Sequence, residues 1–143
     1  MSKAARWIVE SAVTAVVGLV AFIAPIMLHP PPVLPKAPLF PIVREAVEHL
    51  RPSSFIALAI VGLIAGLVAG APWWVLGLVS VAALPVCMVA ELLTDSTSHN
   101  LFPFELVTYV VFSIPALVAA GLGRAARRVV ISRRQKNPPH IGG

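Results

Sequence analysis

Cysteine is nearly missing from this chain: of 143 residues only Cys87 carries a thiol, and it lies in an apolar run. One cysteine excludes an intramolecular disulfide and a multi-cysteine zinc site, and in such a run it behaves as a small hydrophobe. Charge is scarce too. Asp, Glu, Lys and Arg make up 12% of the residues, about half the share of an ordinary soluble domain. The patterns G-x-x-x-x-G-K-[ST], G-x-G-x-x-G, G-x-S-x-G and H-E-x-x-H are all absent. The usual devices for cradling phosphate, activating a nucleophile or holding a hydrolytic zinc are therefore missing, and neither an enzyme nor a cofactor is expected. A haem between helices needs imidazoles facing each other inside the bilayer, whereas His29 and His99 fall outside the apolar runs.

What fills the chain instead is apolar sequence, 58% hydrophobic with a mean hydropathy of +0.90. Four long runs, at about residues 7–28, 54–71, 73–93 and 104–123, hold almost no charge. A soluble domain of this length cannot bury four such runs, so lipid has to cover them. The expected fold is all-α, a polytopic membrane protein with a bundle of four transmembrane helices. The first run also fits a signal peptide, because Lys3 and Arg6 precede it and Ala21 and Ala24 lie near its end. Cleavage after Ala24 would leave Pro25 at the terminus without an A-x-A pattern, which favours a retained anchor.

Between the first two runs, residues 29–41 contain six prolines and form a stiff extended connector. Residues 42–50 then place Ile42, Val43, Ala46, Val47 and Leu50 on one helical face, with Arg44, Glu45, Glu48 and His49 on the other. That pattern predicts a short amphipathic helix in the first outer loop (29–53), lying on the membrane or packed against the protein's own spans. Ser53 and Ser54 suit a helix cap, and Pro72 with Trp73 and Trp74 ends the second run at an interface. Pro85 predicts a kink near residues 81–85, and Pro115 lies inside the fourth run. Residues 124–143 read as a basic cytoplasmic tail that frays.

The net charge is +5, yet six of the eleven Lys and Arg residues fall at Arg124, Arg127, Arg128, Arg133, Arg134 and Lys136. Their place beside a span points to anionic lipid headgroups and not to nucleic acid. With four spans the two ends share a side that holds eight Lys and Arg, against three in the first loop. Both termini are thus expected in the cytoplasm.

Three groups of residues stand out. Gly62, Gly66 and Gly70 recur every fourth position, a stripe for close helix contact within the chain or with a second copy or another subunit. Glu10 follows Arg6 by one turn, so the two neutralise each other at the interface. Glu91, Asp95, His99 and Glu105 fall near one end of the last two spans. They suit either loop capping together with Thr97, Ser98 and Asn100, or an outer polar cluster handling a cation or protons.

Residues 95–105, DSTSHNLFPFE, resemble a D-x-T-S-H-N-L-x-P-x-E-like segment of small bacterial four-helix integral membrane proteins. The likeness implies a bacterial cytoplasmic (inner) membrane and brings no activity with it. Four spans in a short chain also resemble the small multidrug resistance transporters, but Glu10 lies nearer the helix entry than their membrane-embedded glutamate, and the long proline-rich loop does not fit. The expected role is a structural or accessory subunit that packs with itself or a larger membrane complex. The alternative is a small transporter or ion-handling protein that uses the outer polar cluster.

Overall fold

A computed structural model describes residues 1–28, 43, 46–47, 51–94 and 104–136, for 91, 92, 94, 104–106, 134 and 136 the backbone alone. Five helices run through these residues: α1 (Lys3–Leu28), α2 (Pro52–Val68), α3 (Trp73–Val79), α4 (Ala83–Thr94) and α5 (Phe104–Lys136). The described residues contain no strand. Three stretches are long and apolar enough to cross a membrane: Lys3–Leu28, Trp73–Ala90 and Val107–Arg133. At 1.5 Å per residue the 17 residues of α2 reach about 26 Å, just short of a hydrocarbon core of about 30 Å.

Local chemistry sets the helix ends. Pro52 opens α2 after an extended Arg51, a position where the missing proline N–H costs nothing. Ser54 is no cap, since its hydroxyl is buried and donates to the Phe22 carbonyl of α1 at 3.2 Å. Residues preceding a proline favour extended backbone, and α2 stops at Val68, ahead of Pro72, instead of reaching residue 71. The expected kink at Pro85 is a full break. Val81 and Ala82 donate to Leu78 and Val79, each three residues back, while Leu84 takes the Val81 carbonyl that Pro85 cannot use. Gly123 does not end the last helix, which runs for 33 residues from Phe104 to Lys136, so the basic stretch is helical where a fraying tail was expected. Residues 137–143 lie outside the described residues.

The most extensive packing joins α2 to α5, and α1 closes over α2 and α3. On α1 the buried residues are Thr14, Gly18, Phe22, Pro25 and Ile26; on α2 they are Ser54, Leu58, Gly62, Ala65 and Gly66. Both sets follow the same helical spacing, a narrow stripe facing the interior. The interior tapers. One end is filled by Phe22, Phe55, Tyr109 and Phe112, with Phe112 5.7 to 6.3 Å from the other three rings. The other end is filled by Ala65, Ala69, Ala71 and Leu76, with Trp7 against them. Small side chains let the backbones close there, whereas the rings hold the helices apart.

Outward faces carry valine, isoleucine and leucine: Val13, Val16, Val17 and Val20 on α1, Ile56, Ile60 and Ile64 on α2, Val110, Ile114 and Val118 on α5. A continuous apolar belt of this kind is what lipid covers. Of the expected amphipathic segment, Val43, Ala46 and Val47 are described and helical. Ala46 is 1% exposed and joins the aromatic end of the core, with Val43 and Val47 beside it. That face therefore meets the bundle and not the membrane; the rest of 29–50 lies outside the described residues.

Candidate functional site

The glycine stripe divides in two. A Cβ on Gly62 would run into the Ala116 carbonyl of α5, and one on Gly66 into the Ala120 carbonyl. The reciprocal contact comes from α5, where a Cβ on Gly123 would strike the Leu63 carbonyl. These glycines bring α2 and α5 together within one chain. The spacing of Ala116, Ala120 and Gly123 on the last span is the matching signal, legible in the sequence but weaker because alanine is common in apolar helices. Gly18 acts in the same way toward the helix break, where a side chain would meet the Ser80 carbonyl.

Gly70 does something else. It lies past the end of α2, in the short connection to α3, and its N–H donates to Glu10 Oε2 at 2.9 Å, as does the N–H of Ala71. The other oxygen of Glu10 accepts from Arg6 Nε at 2.7 Å. Two successive amides converging on one carboxylate form a small anion-binding concavity. The remaining face of the connection is held from α5, where Arg124 and Arg127 donate to the Ala69 carbonyl at 2.9 and 2.6 Å. Arg127 also reaches the Val68 carbonyl at 3.4 Å. The last carbonyls of a helix lack intrahelical partners and carry its negative dipole end, so two guanidinium groups are well placed there.

The 69–72 connection is thus clamped by α1 on its donors and by α5 on its acceptors. This arrangement also fixes geometry: the start of α1, the α2–α3 connection and the Arg124 turn of α5 share one end of the bundle. Sequence reasoning found the Arg6–Glu10 pair but not Gly70 and Ala71, because a contact across 60 residues leaves no local pattern.

Besides Tyr109 in the aromatic end, the polar residues buried among those described are Thr14, Ser54, Ser80 and Ser113. These four donate their hydroxyls to backbone carbonyls, those of Glu10, Phe22, Gly77 and Val110 respectively. None of the four is left over to face a ligand. Of the outer polar cluster, Asp95 and His99 lie outside the described residues, and only the helical backbone of Glu91 and Glu105 is described, at the end of α4 and the start of α5. Among the described residues no three His, Cys, Asp or Glu side chains gather as metal ligands. The basic residues Arg124, Arg127, Arg128, Arg133, Arg134 and Lys136 all lie on α5, along its final 13 residues. No protein-family model, no curated protein and no solved structure matches the chain.

Proposed function

We propose that the chain is a four-span protein of the cytoplasmic membrane, with both termini in the cytoplasm, that serves without catalysis as a structural or accessory subunit. In this reading it packs with copies of itself or with a larger membrane complex. The observation that carries the proposal is the use of the interior. The buried hydroxyls of Thr14, Ser54, Ser80 and Ser113 are each bonded to the chain's own backbone, and Glu10 is held by Arg6, Gly70 and Ala71. A transport path needs polar groups that can exchange partners with a substrate; here they serve packing. Support for four spans comes from α2, whose ends join opposite ends of the bundle: Ser54 bonds Phe22 in the aromatic part, and Ala69 bonds Arg124 at the clamp. The clamp end carries Lys3, Arg6 and the six basic residues of α5, against Glu10 as its one acid among the described residues, the imbalance expected of a cytoplasmic face.

With the glycine face of α2 spent inside the chain, a partner has the outward apolar belt to pack against. The test is purification in mild detergent with identification of the proteins that accompany the chain and determination of its oligomeric state. A stoichiometric membrane partner or a defined oligomer is expected. A lone monomer that drives proton or cation flux in liposomes, with flux lost in Glu91→Gln or His99→Ala, would overturn the accessory reading in favour of transport.

A further inference from the structure

Among the described residues the clamp holds more positive charge than the acidic side chains beside it neutralise. Arg124 and Arg127 converge on the single Ala69 carbonyl, each through Nη1. A guanidinium has five N–H donors, and among the described residues the remaining donors of this pair meet no carboxylate: Glu10 is spent on Arg6, Gly70 and Ala71. The other five acidic side chains of the sequence are Glu45, Glu48, Glu91, Asp95 and Glu105, none of them within the sequence segments that form the clamp. Two like charges held about one oxygen call for an anion from outside, and paired arginines suit the oxygens of a phosphate.

The surroundings say what carries that phosphate. Arg127 reaches the carbonyl of the exposed Val68, and the exposed Leu67 on α2 and Leu122 on α5, close in sequence to the groups of the clamp, continue the apolar belt of the two helices. An occupant of this surface is anionic at one end and apolar along its length.

We infer that Arg124 and Arg127, pre-positioned by the Ala69 carbonyl, form a binding site for the phosphate headgroup of an anionic phospholipid whose acyl chains lie against Leu67, Val68 and Leu122. The inference rests on the membrane reading given above and not on the direction of insertion. It differs from a diffuse attraction of the basic helix for anionic lipid because it assigns the lipid to two of the six basic residues of α5.

The test is lipid binding to the intact chain in mild detergent, measured by native mass spectrometry with phosphatidylglycerol against phosphatidylcholine. A preference for phosphatidylglycerol is expected, reduced about tenfold in Arg124→Gln/Arg127→Gln and changed less than twofold in Arg133→Gln/Lys136→Gln, which removes the same charge. Equal losses in the two double variants, or no preference in the parent, would overturn the site. Displacement of the lipid by an equal concentration of inorganic phosphate would assign the arginines to a free anion and overturn the lipid. Should the first variant fail to fold, a photoactivatable phosphatidylglycerol on the parent chain decides: cross-links at 67–69 and 122–127 support the site, and cross-links confined to 131–136 overturn it. A reporter fused after Lys136 tests orientation separately, so a wrong topology and a missing lipid site give different results.

Discussion

Replacing Gly66 by alanine adds one methyl group, and its consequence follows from where that group would sit. The new Cβ would strike the Ala120 carbonyl oxygen and come within 2.9 Å of the Ala120 carbonyl carbon and Cα. Ordinary carbon contacts lie at about 3.5–4.0 Å, so α2 and α5 must part by close to 1 Å at this level. Both partners are backbone and cannot rotate away, and separation here also loosens the Gly62–Ala116 and Gly123–Leu63 contacts. Overpacking costs about 1–3 kcal/mol, with the upper end applying to a backbone clash. Alanine recovers about 1 kcal/mol over glycine in a helix interior, so the net loss is about 2 kcal/mol. Gly70→Ala is the paired control. Its Cβ would lie 3.6 Å from Arg6 and Glu10, ordinary contact, with a backbone outside the left-handed region, so stability should stay within about 0.5 kcal/mol. Gly121→Ala should be neutral or stabilising by up to about 1 kcal/mol, since it meets only the Trp73 ring at 3.5 Å. The assay is unfolding by sodium dodecyl sulfate titrated into mild detergent and followed by circular dichroism. A Gly66→Ala protein as stable as the parent, or a Gly70→Ala protein as unstable as Gly66→Ala, refutes the account of the stripe.

Three further outcomes are expected in the same assay. Glu10→Ala removes the acceptor for Gly70 and Ala71 as well as Arg6, and leaving amides unpaired at a charged acceptor's place should cost about 2–3 kcal/mol. Arg6→Ala should cost under about 1 kcal/mol, because its side chain is 55% exposed; equal losses for the two would contradict the clamp. Ser54→Ala should cost about 0.6–1 kcal/mol through its lost bond to Phe22, whereas Ser53→Ala should be silent, an ordering reversed if Ser53 were the cap.

Much of the helical plan was legible in the sequence, because apolar runs bounded by Pro52, Pro72 and the polar 94–100 stretch leave little freedom. Interruptions were harder. Pro85 announced a disturbance, but its position at Ser80–Ala82 depends on which carbonyls find a donor, and that is settled by packing against Gly18. Gly123 looked like a helix end, glycine being the usual terminator, yet here the missing side chain serves the approach of Leu63, and the arginine-rich sequence beyond it is intrinsically helical. The clamp was half visible. Arg6 and Glu10 announce each other at one-turn spacing, while Gly70, Ala71 and the Arg124–Ala69 contact depend on tertiary closure. Gly70 shared its spacing with Gly62 and Gly66 without sharing their role, since the helix ends before it.

The proposal of four spans with both termini in the cytoplasm turns on α2, the apolar helix that falls short of the length of the other three candidate spans. Single cysteines placed at Ser2, Lys36, Ser98 and Lys136 in a Cys87→Ser chain, and labelled with a membrane-impermeant maleimide on intact cells, count the crossings directly. Labelling of positions 36 and 98 in intact cells, with 2 and 136 labelled only after lysis, is the predicted result. Labelling of position 136 in intact cells while position 2 stays protected would mean an odd number of spans and would contradict the four-span bundle.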